Sequence, residues 1–297
     1  MDKKLETKRL WIYLILSFGL TWIIFFSFIG TGFKWDGSNP YMESFIGLGM
    51  LMPFVAHILS RLITKEGLPM TGKDSLMLGI SFKDRKWKYY LFALLIPWVY
   101  FEIMCLMALV LVPDAFDSNV IMELGYGNEI AFASPILTMV SCTILSFAAL
   151  GEEGGWRGYM MPKLIKLLGI PKAIITGGII WGLWHAPLTV VGHNFGTDYP
   201  GFPFAGIIIM CIQCTLMGVM LTYITIKTES IWPAAIMHAV NNGNPSILKF
   251  FLNEEVFEKR FPGPFVSYGL LMIPMLVIDI IIIVRAIRRS KGVYYYG

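Results

Sequence analysis

Ionisable side chains inside the apolar stretches of this sequence are the first candidates for chemistry, because a charge within a membrane-like environment is costly unless it has a function. Eight such residues are present: His57, Glu102, Glu152, Glu153, Arg157, His185, His238 and Asp279. Three pairs of polar or aromatic residues are also spaced four apart, which places both members on one face of a helix. These pairs are Glu153 with Arg157, Trp181 with His185, and His238 with Asn242.

Three of these residues are predicted to lie at about the same depth. Counted from the nearest lysine at a predicted cytoplasmic interface, Glu152 and His238 lie roughly 16 Å deep and His185 roughly 20 Å, at a rise of 1.5 Å per residue. A buried glutamate beside a second carboxylate is suited to act as a general base on water. Histidine and asparagine donors can stabilise the oxyanion that follows. This combination predicts hydrolysis.

Arg157 is expected to keep the adjacent carboxylates Glu152 and Glu153 from repelling each other. The alternative for the whole set is a buried polar network that only fixes helix packing. The glycines around the acid pair, at positions 151, 154 and 155, serve either close helix packing or space for a substrate backbone, and the sequence does not separate the two.

The other polar residues receive structural interpretations. His57 and Glu102 are expected to form hydrogen bonds between helices, with a supporting role at the site as the alternative for Glu102. His193 is interpreted as an ordinary loop residue. Asp279 lies six residues before Arg285, so we expect it to be solvated or paired near the membrane surface.

The composition identifies the elements that must position these residues. The chain has 297 residues, of which 56% are apolar and 15% charged, with a mean hydropathy of +0.65. Soluble domains carry about 25% charged residues, so a soluble globular domain is excluded. Apolar segments of about 20 residues recur along the chain and predict an all-α polytopic membrane protein. The eight predicted spans are 10–30, 42–63, 88–112, 132–151, 172–192, 203–226, 230–252 and 264–285.

Basic residues gather in alternate loops, which predicts eight spans with both termini in the cytoplasm. Residues 64–87 are expected to form a cytoplasmic loop at the membrane surface, and residues 10–29 a retained first span. The net charge of +4 is explained by this loop pattern, so no nucleic-acid partner is expected. We predict one membrane domain, 1–297, with a core over 132–252. The compact loops favour a bacterial plasma membrane.

The motif-bearing segments resemble one known family. Residues 152–157, Glu-Glu-Gly-Gly-Trp-Arg, match the EExxxR motif of the type II CAAX prenyl endopeptidases, the CPBP or Abi group of intramembrane proteases. Trp181 to His185 resembles the family's FxxxH motif with tryptophan in place of phenylalanine, and His238 to Asn242 resembles its HxxxN motif. The resemblance implies an intramembrane endopeptidase acting on a membrane-associated peptide or a lipidated protein.

The resemblance also implies a role for each matched residue. Glu152 activates water with help from His185, while His238 and Asn242 form the oxyanion hole. Glu153, Arg157 and Trp181 support the geometry. A metal-free mechanism without a cofactor is favoured, because the sequence lacks an HExxH motif. The alternative is a Zn²⁺ site built from His185, His238 and Glu152, since two histidines, a glutamate and water form a known catalytic set.

Two other function classes compete with the peptidase. A non-catalytic membrane scaffold or a bacteriocin-immunity-type protein would use the same residues only for packing. An ion-coupled transporter would use the buried acids for coupling, and it predicts broken helices related by an inverted repeat. The sequence gives neither the substrate nor the oligomeric state.

Overall fold

A computed structural model of the chain describes residues 2–32, 41–72, 74–123, 127–144 and 146–294, without the side chains of 42–43 and 287–294. Of the basic residues that contribute to the predicted orientation, Lys73 and the side chains of Arg288, Arg289 and Lys291 lie outside this description. The all-α prediction is confirmed: within the described residues, β-structure is limited to one isolated bridge between Phe116 and Leu252.

The described part of the chain contains fourteen α-helices. They are α1 (Lys3–Ile29), α2 (Met42–Ile63), α3 (Trp87–Leu111), α4 (Val120–Glu123), α5 (Asn128–Ile144), α6 (Phe147–Gly155), α7 (Met161–Leu168), α8 (Ile170–Trp184), α9 (Ala186–Val190), α10 (Phe204–Thr228), α11 (Trp232–Gly243), α12 (Glu254–Arg260), α13 (Pro264–Leu271) and α14 (Ile273–Tyr294). Residues Trp156–Met160 form a π-helical turn between α6 and α7. Short 3₁₀ turns occur at Lys83–Arg85, Pro113–Ala115 and Leu248–Phe251.

Four of the described helices, α1, α2, α3 and α10, are long and apolar enough to cross a membrane. Two bent pairs raise the number to six if each pair forms one span: α5 with the α6–α7 run, and α13 with α14. The predicted spans 10–30, 42–63, 88–112 and 203–226 therefore correspond closely to single helices. The predicted continuation of the fourth segment past Glu152 is also confirmed, because the helical run extends to Leu168.

Two predicted spans are wrong as continuous helices. The segment 172–192 breaks at His185, and the segment 230–252 ends as a helix at Gly243. Prolines explain both interruptions, because proline lacks an N–H group and restricts the residue before it. Pro187 follows the first break, whereas Pro245 follows Asn244, whose left-handed backbone (φ +46°) ends the second helix.

The other two predicted spans, 132–151 and 264–285, are bent rather than straight, by 64° and 47°. At the first bend the Ser146 hydroxyl donates to the Thr143 carbonyl (2.9 Å), so a side chain competes with the helical backbone pattern. At the second bend Pro274 lacks the N–H that would continue the helical hydrogen bonds, which kinks the chain at Met272.

The glycines beside the acid pair allow α6 to pack directly on α2. A Cβ atom at Gly151 would lie 2.5 Å from the Met50 carbonyl oxygen, and one at Gly154 would lie 2.6 Å from the Phe54 ring. A Cβ at Gly155 would collide with Pro53. Close helix packing is therefore the use that the structure gives to these glycines. His57 supports the same contact: its Nδ1 donates to the Gly154 carbonyl (2.8 Å), which confirms the predicted interhelical bond.

A buried ionic network joins the loop after α2 to the helix that follows the π turn. Glu66 in this loop accepts hydrogen bonds from Lys163 Nζ, Tyr159 Oη and Thr64 Oγ1, each at 2.7 Å. Burial alone would raise the pKa of Glu66, but these three bonds outweigh burial and lower it to about 2. The predicted surface loop therefore anchors the end of the helical run that carries Glu152.

Candidate active site

The two carboxylate oxygens of Glu152 differ in their hydrogen bonding to the described residues. Glu152 lies in α6 and is 2% exposed. Its Oε2 accepts a hydrogen bond from Trp181 Nε1 at 2.7 Å and a longer one from Trp156 Nε1 at 3.3 Å. Its Oε1 has no hydrogen-bond partner among the described residues, and Glu152 lines a cavity. The arrangement fixes the orientation of the carboxylate while leaving one oxygen able to accept a proton.

Glu153 links two positive or donor groups on different elements. Its Oε1 accepts from Arg157 NH1 at 3.1 Å, as the spacing of four predicts, and from His238 Nδ1 at 2.8 Å across to α11. The Arg157 guanidinium also lies 4.2 Å from the centre of the Trp181 ring, a cation–π contact. Because Nδ1 of His238 is bound to Glu153, Nε2 is the ring nitrogen left for the cavity.

His185 follows the last residue of α8 and is held in one tautomer. Its Nδ1 lies 3.0 Å from the Trp181 carbonyl oxygen. A carbonyl oxygen only accepts, so Nδ1 carries the proton and Nε2 of the neutral ring is an acceptor. The Trp181 ring lies between the two histidines, 6.0 Å from the His185 ring and 5.3 Å from the His238 ring.

Asn242, in the last turn of α11, is oriented by two successive hydrogen bonds that begin at Tyr100 in α3. Tyr100 Oη donates to Asn241 Oδ1 (2.5 Å), and Asn241 Nδ2 donates to Asn242 Oδ1 (3.2 Å). The Asn242 amide nitrogen therefore keeps both of its protons available. Asn242 is an exposed residue that still lines the cavity.

Glu102 holds the turn that follows α11. Its two carboxylate oxygens accept from the backbone N–H groups of Ile247 (2.5 Å) and Leu248 (3.3 Å) and from the Ser246 hydroxyl (3.2 Å). The predicted structural role of Glu102 is confirmed, and it is more specific than expected. The carboxylate stabilises the non-helical segment that terminates the helix bearing His238 and Asn242.

The cavity has a volume of about 450 Å³, which falls within the range of roughly 300–1,000 Å³ that ligand sites occupy. Its lining includes Glu152, Trp181, His185, His238 and Asn242, while Glu153 and Arg157 lie behind this wall. The apolar lining residues are Phe25, Ile46, Met50, Phe101, Trp184, Leu188, Phe195, Met210 and Met217. Lysine and arginine are absent from the described lining.

The cavity is also lined by polar residues that the sequence did not identify as site residues, among them His193, Asn194, Gln213 and Asn244. His193 lies in the turn after α9, as the loop interpretation expects, and it also lines the cavity; burial lowers its pKa to about 4. A glutamine inside the apolar run IIIMCIQCTLM was the available signal for Gln213.

Asp279 departs from its expected setting. The side chain is 2% exposed, and neither carboxylate oxygen has a hydrogen-bond partner within the described part of the chain. The expectation that it is solvated or paired is therefore wrong. Counting residues back from Arg285 along α14 gives the distance of Asp279 from the helix end but not the direction of its side chain, which is buried in the protein.

The alternative of a Zn²⁺ site would use His185, His238 and Glu152 as ligands. Across the residues that the structure describes, no group of three or more His, Cys, Asp or Glu side chains is arranged to hold a metal ion. His185 and His238 each use Nδ1 on another protein group, and Trp181 occupies one oxygen of Glu152. Zinc-bound histidines form the same kind of Nδ1 bond, so these contacts are compatible with either mechanism, and the metal-free mechanism stays a prediction.

Comparisons with known proteins agree with the motifs. Residues 133–243, which contain all seven predicted site residues, match the family model described as type II CAAX prenyl endopeptidase Rce1-like. The chain is also 26% identical over 249 residues to CAAX prenyl protease 2 of Methanococcus maripaludis, an alignment that covers 83% of this chain and 88% of the relative. These matches confirm the predicted resemblance: the chain is an intramembrane peptidase similar to the Rce1-like type II CAAX prenyl endopeptidases.

Proposed function

We propose that the chain is an endopeptidase that hydrolyses a peptide bond with water activated by Glu152 and His185. The observation that carries this proposal is the difference between the two oxygens of Glu152: Oε2 accepts a hydrogen bond from Trp181 at 2.7 Å, while Oε1 of this cavity-lining side chain has no partner among the described residues. In the proposed step, Oε1 accepts one proton from water, and His185 Nε2 accepts a hydrogen bond from the other.

The resulting hydroxide attacks the carbonyl carbon of the scissile bond, and the carbonyl oxygen becomes negatively charged. Asn242 Nδ2 and the protonated Nε2 of His238 donate to this oxyanion, in the manner of other preorganised oxyanion holes. Glu152 then gives its proton to the amide nitrogen as the C–N bond breaks. Glu153 and Arg157 hold His238, and Trp181 holds Glu152.

The proposed substrate is a membrane-associated or CAAX-like peptide that reaches the site from the cytoplasmic side. The relative's name describes a CAAX prenyl protease, and the apolar wall of the cavity suits an apolar side chain or lipid. We further propose eight crossings, with α8 and α11 as the two short segments, both termini in the cytoplasm, and a bacterial plasma membrane as the location.

Cleavage of a quenched fluorescent peptide library, including a farnesylated CAAX peptide, tests the proposal. Detergent-purified protein is compared with Glu152→Gln, with and without a chelator. We expect activity that survives chelation and is lost in the variant. A Glu152→Gln protein that cleaves as fast as wild type would refute the role of Glu152, and activity lost on chelation and restored by Zn²⁺ would refute the metal-free mechanism.

A further inference from the structure

One face of α10 forms a wall of the cavity. Its lining residues, Met210, Gln213, Cys214 and Met217, follow the spacing of a single helical face. Within this face Gln213 is the residue with a carboxamide, which offers both a donor and an acceptor. A neutral amide in an otherwise apolar helix costs free energy unless it has a hydrogen-bond partner.

The carboxamide of Gln213 has no hydrogen-bond partner within the described part of the chain. Other polar side chains of α10 behave differently. The hydroxyls of Thr215, Thr225 and Thr228 donate to backbone carbonyls one turn earlier, at 2.7, 2.8 and 2.8 Å. Gln213 therefore lines the cavity with a polar side chain that forms no hydrogen bond within the described part of the chain.

Other groups that border the cavity indicate what Gln213 can bind. Glu152 Oε1 and Asn242 Nδ2 are both unpartnered among the described residues and border the same space. The described lining contains no lysine or arginine, so it is better matched to a neutral segment than to a carboxylate. A peptide backbone amide carries one donor and one acceptor, the same pair that a carboxamide can satisfy.

We infer that Gln213 is a substrate-binding residue whose carboxamide hydrogen-bonds to a backbone amide of the peptide that flanks the scissile bond. The inference rests on the proposed peptidase function and adds a binding contact outside the three motifs. It assigns the α10 wall of the cavity to the peptide main chain.

Gln213→Met tests the inference, because methionine keeps the unbranched shape and removes the amide. The matched control is Thr222→Val: Thr222 is on the same helix, its buried hydroxyl is also unpartnered in the described structure, and it does not line the cavity. One neutral hydrogen bond corresponds to a loss of roughly three- to tenfold in kcat/KM. We expect this loss in Gln213→Met, mainly through KM, and a kcat/KM near that of wild type in Thr222→Val.

A scan of the substrate backbone separates a contact from a folding defect. Each amide except the scissile one is replaced in turn by an ester, and kcat/KM is measured with wild-type and Gln213→Met protein. We expect one ester that impairs wild type and has little effect on the variant. Equal kcat/KM for both proteins, or equal ester penalties at every position, would overturn the inference and leave the peptidase function standing. Wild-type protein that cleaves no peptide would remove both proposals.

Discussion

Replacing Trp181 by phenylalanine removes one hydrogen bond from the carboxylate that we propose as the general base. The indole N–H donates to Glu152 Oε2 at 2.7 Å, and the second donor, Trp156, is at 3.3 Å. A hydrogen bond to a charged group contributes roughly 1.5–3 kcal/mol. We expect kcat of Trp181→Phe to fall roughly 10- to 100-fold, because Glu152 loses its fixed orientation, while KM changes little.

The neighbouring Trp184 supplies a matched control. It lies on the same helix and is 1% exposed, compared with 2% for Trp181, but its indole nitrogen has no partner in the described structure. Trp184→Phe therefore measures the packing cost of the same substitution. Peptide cleavage by both detergent-purified variants gives kcat and KM. An equal fall in kcat for both would refute the reasoning, because the hydrogen bond to Glu152 would then contribute nothing.

Three further predictions concern the elements around the site. Glu102→Gln should lower the free energy of unfolding by about 1–3 kcal/mol, because the new amide N–H group would face backbone N–H donors. The loss would be measured as a lower thermal unfolding temperature in detergent. Gly151→Ala should be destabilised by about 1–3 kcal/mol in the same assay, since its Cβ would lie 2.5 Å from the Met50 carbonyl oxygen. The pKa of Glu66 is lowered from 4.5 to about 2, so its stabilisation is present above about pH 4.5 and is lost as pH falls toward 2. Unfolding temperatures measured against pH should show this loss in wild type and not in Glu66→Gln. An unchanged unfolding temperature in either of the first two variants, or the same acid response in the third, would contradict the corresponding prediction.

The sequence predicted contacts within a helix better than contacts between helices. The pairing of Glu153 with Arg157 follows from their spacing, and the structure places these groups 3.1 Å apart. The bond from Trp181 to Glu152 joins two helices, and residue counting gives the depth of each side chain without its rotation about the helix axis. The tryptophan that replaces the phenylalanine of the resembling motif therefore has a role that the motif alone did not reveal.

The helix breaks were overlooked although their signals were present. A proline within an apolar run lowers the averaged hydropathy only slightly. Its missing backbone N–H group nevertheless ends or bends the helix at that point. The breaks after His185 and after Gly243 place two site segments at helix ends inside the protein. Glu102 shows what such a break requires. Its carboxylate accepts hydrogen bonds from the backbone N–H groups of Ile247 and Leu248, which have no helical carbonyl partner once the helix has ended.

The groups that border the cavity favour an active site over a network that only fixes packing. A packing network satisfies its buried polar atoms internally, since an unpaired polar atom costs free energy. Behind the cavity wall, Oε1 of Glu153 accepts from Arg157 and His238, while Oε2 of Glu153 and Nε of Arg157 have no partner among the described residues. Oε1 of Glu152 and the carboxamide of Gln213 have no partner among the described residues either, and they border one cavity. Unpartnered polar groups also occur away from the cavity, at Asp279 and Thr222, but those at Glu152 and Gln213 border a space large enough for a ligand, which is what a site for a polar substrate requires.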